Sequence, residues 1–187
     1  MKFYQDEDFK NIDFSKENEI AEYEHCNFYN CTFNNKNLSG YNFTECNFFT
    51  CDFSSANLKN CSLNAIYFEE CKLLGLRFDF CNPFLFRVNF KNCQLDFSSF
   101  FQCKLKKISF KDCQLKEVDF TEAALEGSNF ENAVLTNATF ERTNLAKCDF
   151  KTAQNFNINP ENNNLKGARF SKENLSGLLL NFKLVIE

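Results

Sequence analysis

Eleven cysteines and a single histidine are the residues of this 187-residue chain whose chemistry has to be weighed first. Thiols and imidazoles bind metals, form disulfides and act as nucleophiles. The cysteines fall at Cys26, Cys31, Cys46, Cys51, Cys61, Cys71, Cys81, Cys93, Cys103, Cys113 and Cys148, mostly five or ten apart. Zinc sites use tight pairs such as Cys-x2-Cys with histidine partners, and one histidine supplies no such set. An odd count without a secretion signal argues for reduced thiols packed as small polarisable residues, not for structural disulfides. His25 precedes Cys26 directly, but the imidazole takes an outward position and the thiol an inward one, so no activated nucleophile forms. There is no glycine-rich phosphate loop, nucleophile elbow or HExxH, and the carboxylates are scattered. No catalytic residue, metal ligand or cofactor is expected, and the chain is predicted to be no enzyme.

The cysteine spacing belongs to a pattern that runs through most of the chain. Phe or Leu, with one Tyr, recurs every five residues from Tyr23, Phe28 and Phe33 through Phe68, Leu73 and Phe78. After a two-residue slip the period resumes at Leu85 and Phe90 and continues to Leu145 and Phe150, giving twelve centres and then fourteen. Two residues before each centre stands a second, usually small residue, most often Cys, Ala or Ser, with Lys36 and Tyr41 as exceptions. Five fits neither the 3.6-residue period of a helix nor the 2.0 of a simple strand. It fits a chain that turns a corner every five residues, with the centre and the residue two before it pointing inward. From Leu85 to Phe150 the centres alternate Leu and Phe, so an even number of sides per coil would stack Phe100, Phe120 and Phe140 in one column.

These motifs resemble the pentapeptide repeat family over about residues 21–153. The resemblance implies an all-β solenoid, a right-handed quadrilateral parallel β-helix with four pentapeptides per coil. Residues 1–20 read as an N-terminal cap or degenerate first coil holding Phe9 and Phe14, 21–158 as the β-helix, and 159–187 as a C-terminal cap. In that cap Ser171 would begin a short helix with Leu175, Leu178, Leu179 and Phe182 on one apolar face, and Lys183-Leu184-Val185-Ile186 would run as a strand. The face would plug the rod; the quinolone-resistance members of the family imply that it also pairs two copies into a homodimer.

Surface composition leaves two functional readings open. The net charge of −4 is banded, acidic over 1–24 and 117–149 and basic between them, around Lys104, Lys106, Lys107, Lys111 and Lys116. The resemblance to quinolone-resistance and microcin-immunity proteins implies a DNA mimic acting on DNA gyrase or topoisomerase IV through Glu117, Asp119, Glu122, Glu126, Glu131, Glu141 and Asp149. An acidic rod can engage the basic surface that normally holds duplex DNA. The rival is a scaffold that uses an aromatic patch, Phe80, Phe84, Phe86, Phe97 and Phe101, gathered at the slip. Both make another protein the partner, with no direct nucleic-acid contact. No apolar run approaches the roughly 18 residues of a membrane span and the N-terminus is acidic, so no membrane association and a cytoplasmic location are expected.

Overall fold

An apolar centre every five residues forces the backbone to change direction after each one. The computed structural model, which describes residues 1–17 and 19–185, puts the corner two residues beyond each centre. There the chain adopts a left-handed conformation, with φ of 52° at His25, 52° at Thr50, 58° at Lys107 and 59° at Lys147. Gly40, Gly75, Gly127 and Gly167 occupy four more corners. For residues with a Cβ this conformation costs roughly 1–2 kcal/mol each, so packing and the ladder impose it. Partners across the ladder are twenty residues apart and parallel: Thr32 bridges Asp52, Asp52 bridges Lys72, and Gln114, Val134 and Gln154 follow one another. Twenty residues per coil is four sides of five.

Short strands line two adjacent faces of the N-terminal half. One sheet holds β1 (Lys2–Gln5), β3 (Ala21–Glu24), β5 (Asn42–Thr44) and β7 (Ser62–Asn64). The other holds β2 (Asp8–Lys10), β4 (Asn27–Tyr29), β6 (Asn47–Phe49), β8 (Ile66–Glu69), β9 (Val88–Lys91) and β10 (Phe110–Lys111). Farther on, the sides shrink to single bridges joined by tight turns, as where the Cys103 N–H donates to Phe100 O at 3.0 Å.

The core is a set of columns running along the rod. Phe9, Phe28, Phe48, Phe68, Phe90, Phe110, Phe130, Phe150 and Phe170 form an unbroken stack with successive ring centroids 4.5–5.5 Å apart. Phe78, Phe100, Phe120 and Phe140 make a second, as the Leu/Phe alternation predicts. Rings of neighbouring columns meet edge to face, for example Phe100 and Phe110 at 5.5 Å and 80°. Offset stacking and edge contacts are worth about 0.5–1.5 kcal/mol per pair beyond area burial. At about 4.8 Å per coil the eight steps from Phe9 to Phe170 make a rod about 38 Å long.

The slot two before each centre has a second purpose besides being small. In several coils its side chain donates to a centre carbonyl of the preceding coil: Cys46 Sγ to Tyr23 O at 3.5 Å, Cys71 Sγ to Phe48 O at 3.3 Å, Ser98 Oγ to Leu73 O at 3.0 Å and Thr143 Oγ1 to Phe120 O at 2.8 Å. The two exceptions in the pattern reach backbone carbonyls of the preceding coil that are not those of centres: Lys36 Nζ donates to Glu17 O and Tyr41 Oη to Glu19 O at 2.6 Å. All eleven cysteines are buried thiols in this slot. Burial pushes Cys46, Cys61 and Cys103 up to about 12 and Cys81 well above the ordinary thiol value.

Both ends differ from the regular repeat. The first coil is one residue short, because Lys2 pairs with Ala21 and Asp13 bridges Thr32. The 3₁₀ turn Phe14–Lys16 takes up the difference, which is why Phe9 and Phe14 read as out of phase. At the other end the expected capping helix is replaced by two 3₁₀ turns, Leu175–Leu178 and Leu180–Phe182. Ser171 is no helix cap; its N–H is held by Asn174 Oδ1 at 3.1 Å. Leu178 packs on the core, Leu179 is half-buried, and Leu175 and Phe182 are exposed, so the four do not share a buried face. The reason is Gly177, whose carbonyl must approach closely enough to accept from the Ile158 N–H at 3.0 Å, fixing the segment flat across the rod. The expected strand is also absent where described: Lys183 is left-handed, and Leu184 and Val185 are exposed without a ladder partner, while Ile186 lies outside the described residues. Phe156 and Ile158 close the core, and two asparagine amides satisfy the last open carbonyls. Asn163 Nδ2 donates to Phe140 O at 2.9 Å, and Asn174 Nδ2 to Phe150 O at 2.8 Å.

Candidate functional site

The interruption at residues 79–87 is where the rod departs most from regularity. Across it the bridge offset grows from twenty to twenty-two, with Lys72 opposite Gln94 and Arg77 opposite Ser99. The chain stays in register through Asn82, whose N–H donates to Cys61 O at 2.9 Å, and regains it at Arg87, whose N–H donates to Leu63 O at 3.0 Å. Between them Asn82 Oδ1 accepts from the Phe84 N–H at 3.0 Å and Pro83 follows, so the chain turns outward. The outward turn reverses the side-chain parity. Leu85, expected as the first centre of the second phase, is instead an exposed left-handed residue, and Phe86 packs against the core beside Phe78.

The displaced segment leaves two adjoining hollows, of about 480 and 810 Å³, which share Phe86 and Lys104. The first is lined by Phe80, Pro83, Phe86 and Phe101, the second by Val88, Leu105 and Ile108 together with Arg87, Lys104, Lys106 and Lys107. Of the five aromatic residues expected to form one patch, the structure therefore joins Phe80, Phe86 and Phe101. Phe84 stands exposed at the tip of the bulge, and Phe97 sits on another corner beneath the Lys116 ammonium, 5.5 Å from its ring centre. The Arg77 guanidinium lies 4.2 Å over the Phe80 ring and is itself held by Asp79 at 2.6 Å. Arg87, Leu105 and Ile108 join the site only through the slip, whose two-residue length was the one signal available for them.

The seven acidic residues over 117–149 do not form a bare anionic face. Glu122 accepts from Gln102 at 2.7 Å and from Arg142 at 2.6 Å, and these bonds, the Gln102 one foremost, hold its carboxyl below the usual range. Glu126 lies between Lys147 at 3.0 Å and Lys106 at 3.6 Å and is held low in the same way. Glu131 pairs with Lys111 at 2.9 Å, Asp149 with Lys151 and Arg169 at 3.5 Å, and Glu117 with Lys116 at 3.7 Å. Glu141 accepts from the Asn162 amide, and Asp119 caps the turn at the Thr121 N–H. Stacking coils at twenty-residue intervals puts opposite charges directly above one another, the ladder form of cross-strand pairing. By contrast Arg87, Lys104 and Lys107, all exposed at the interruption, have no carboxylate partner among the described residues.

His25 is exposed between Glu24 and Glu45, at 3.5 and 3.4 Å, while Cys26 beside it is wholly buried, so imidazole and thiol face opposite ways. Among the described residues no group of three or more His, Cys, Asp or Glu is arranged to hold a metal, and no helix is long and apolar enough to cross a membrane.

Comparison with known proteins agrees with this architecture. A model described as "Pentapeptide repeat region" matches residues 79–150, and "Pentapeptide repeats (8 copies)" matches 24–48 and 51–82. No curated protein matches the chain in sequence. Among solved structures, a trypsin-treated variant of QnrB1, described as a plasmid-mediated fluoroquinolone resistance protein, aligns with a TM-score of 0.73 at 19% identity, covering 100% of this chain and 92% of its own. A second trypsin-treated variant gives 0.66 at 17% identity, covering 99% and 100%, and full-length QnrB1 gives 0.55 at 17%, covering 97% and 100%. With repeat models over residues 24–48 and 51–150 and a four-sided solenoid to match, this chain belongs to the pentapeptide repeat family.

Proposed function

We propose that the protein is a non-enzymatic interaction rod whose contact with another protein lies at the interrupted coil. The observation that carries this is the coincidence, at one break in the ladder, of half-buried and exposed aromatic side chains with cations that have no carboxylate partner. Elsewhere the surface is regular, and the cations beside the 117–149 acids, among them Lys106, Lys111, Arg142 and Lys147, are paired with carboxylates. A type II topoisomerase is the target proposed first. Support comes from the alignment over the whole chain with QnrB1, a fluoroquinolone resistance protein. Pairing of the 117–149 acids weighs against DNA mimicry as the means, since a carboxylate already matched to a lysine or arginine adds little to the field a DNA-binding surface reads.

The test is gyrase supercoiling of plasmid DNA with purified protein titrated in, with and without a fluoroquinolone. Inhibition, or relief from the drug, is expected. If the contact is the interruption, Phe101→Ala weakens the effect and the double reversal Glu126→Lys with Glu131→Lys spares it; the opposite pattern would restore the DNA-mimic mechanism. No effect at micromolar excess removes topoisomerase as the target.

A further inference from the structure

We propose that the groove at the interrupted coil binds an acidic peptide segment carrying an apolar anchor, supplied by a protein partner. This rests on the interaction-rod reading above and names the chemistry of what is bound. The floor and rim supply two different kinds of recognition. Phe80, Phe86 and Phe101 line a hollow of about 480 Å³, rimmed by Asp79, Gln102 and Lys104, large enough for one or two aliphatic or aromatic side chains. The adjoining hollow of about 810 Å³ carries Arg87, Lys104 and Lys107. With no carboxylate partner of their own, these three cations are where an acidic segment gains most, because it meets them without first breaking an existing pair.

The backbone adds a further donor. On neighbouring rungs the residue before each centre donates its N–H to the coil below: Ser99 to Leu76 O at 2.9 Å, Gln114 to Cys93 O at 2.9 Å and Asp119 to Ser98 O at 3.0 Å. The Lys104 N–H makes no such bond among the described residues, because the coil that should receive it is the one displaced outward. A backbone donor left open on a groove that also carries its own lysine ammonium fits a carboxylate or a peptide carbonyl.

Single-stranded nucleic acid is the competing anion. The Arg77 guanidinium already covers one face of the Phe80 ring, which leaves only the opposite face for a stacked base. Asp79 on the wall of the hollow and the net charge of −4 act against either anion, so the apolar anchor is what separates the two, and the experiment carries both as probes.

The test uses fluorescence anisotropy with three labelled probes: a ten-residue peptide alternating Glu with Phe and Leu, the same peptide with every Glu replaced by Lys, and a single-stranded DNA 12-mer. Only the acidic peptide is expected to bind, more weakly as salt rises. Lys104→Glu combined with Lys107→Glu should weaken it at least tenfold and Phe101→Ala at least fivefold, while Lys72→Glu, exposed on another face, leaves it unchanged. These side chains are exposed, and thermal melts confirm that the variants fold. Equal binding of both peptides, preference for the DNA, indifference to the groove variants, or no binding of the acidic peptide at millimolar concentration would each overturn the proposal. Groove-dependent binding of the acidic peptide with no effect on gyrase removes the topoisomerase target alone. Gyrase inhibition untouched by the groove variants removes the groove alone.

Discussion

Substituting Thr143 by Val tests whether the inward slot is chosen for its hydrogen bond or merely for its size. The side chain is buried to 1% exposure, and its hydroxyl donates to Phe120 O at 2.8 Å inside the core. Valine keeps the shape and deletes the donor, leaving the carbonyl with only the Ala123 N–H, from which it accepts at 3.0 Å. Removing one of two bonds to a carbonyl that keeps the other costs about 0.5–1.5 kcal/mol, and an apolar isostere recovers part of that through burial of its extra methyl. A net loss of about 0.5–1 kcal/mol is expected, which in a chain of this size lowers Tm by roughly 1–4 °C. Thr143→Ser retains the donor and loses one methyl, about 0.8 kcal/mol of burial, so it should be destabilised by a similar amount through lost packing instead. Equilibrium urea unfolding followed by circular dichroism, with melts alongside, measures both. If the valine variant equals or exceeds the wild type while serine destabilises, the slot selects for volume, and the donor rule drawn from Cys46, Cys71, Ser98 and Thr143 is wrong.

Further outcomes follow from the same geometry. A thiol reagent at pH 8 should label essentially none of the eleven cysteines in native protein and all of them in denaturant; rapid native labelling would refute their burial. Because Cys46, Cys61 and Cys103 are pushed from 9.0 up to about 12, the folded state holds their protons longer than the unfolded one. Stability is therefore full below pH 9 and falls as pH rises from 9 toward 12, which alkaline melts would show as a steady drop in Tm. At the C-terminus, a Cβ on Gly177 would lie 2.6 Å from Phe156 O and 2.5 Å from its ring, so Gly177→Ala should displace the cap at a cost of about 1–3 kcal/mol and speed trypsin cleavage at Lys172. An alanine variant as protease-resistant as the wild type would show that the cap does not rely on this close approach.

The five-residue period by itself determined the coil and the columns, because an inward centre every five residues admits no helix or flat strand and the Leu/Phe alternation requires an even number of sides; that the number is four was implied by the family resemblance and is set by the twenty-residue bridges. It also placed every cysteine inward and His25 outward. Other features depended on contacts between residues about twenty apart, or on a local turn, that a repeat pattern cannot display. Only the stacking of coils shows that the acids of 117–149 stand against Lys106, Lys111, Arg142, Lys147 and Arg169, which turns an apparent acidic face into a paired one. The Asn82–Pro83 turn shifts side-chain parity, so Leu85 leaves the core and Phe86 enters it, splitting the aromatic patch read from sequence and opening the groove beside it. At the C-terminus the apolar spacing suggested a helix, but the open end of a parallel ladder demands donors for its last carbonyls. Asn163, Asn174 and the close approach of Gly177 meet that demand with 3₁₀ turns. Periodicity is a local property of the chain and is legible at once; charge pairing, parity and capping are relations between coils, and folding alone brings their partners together.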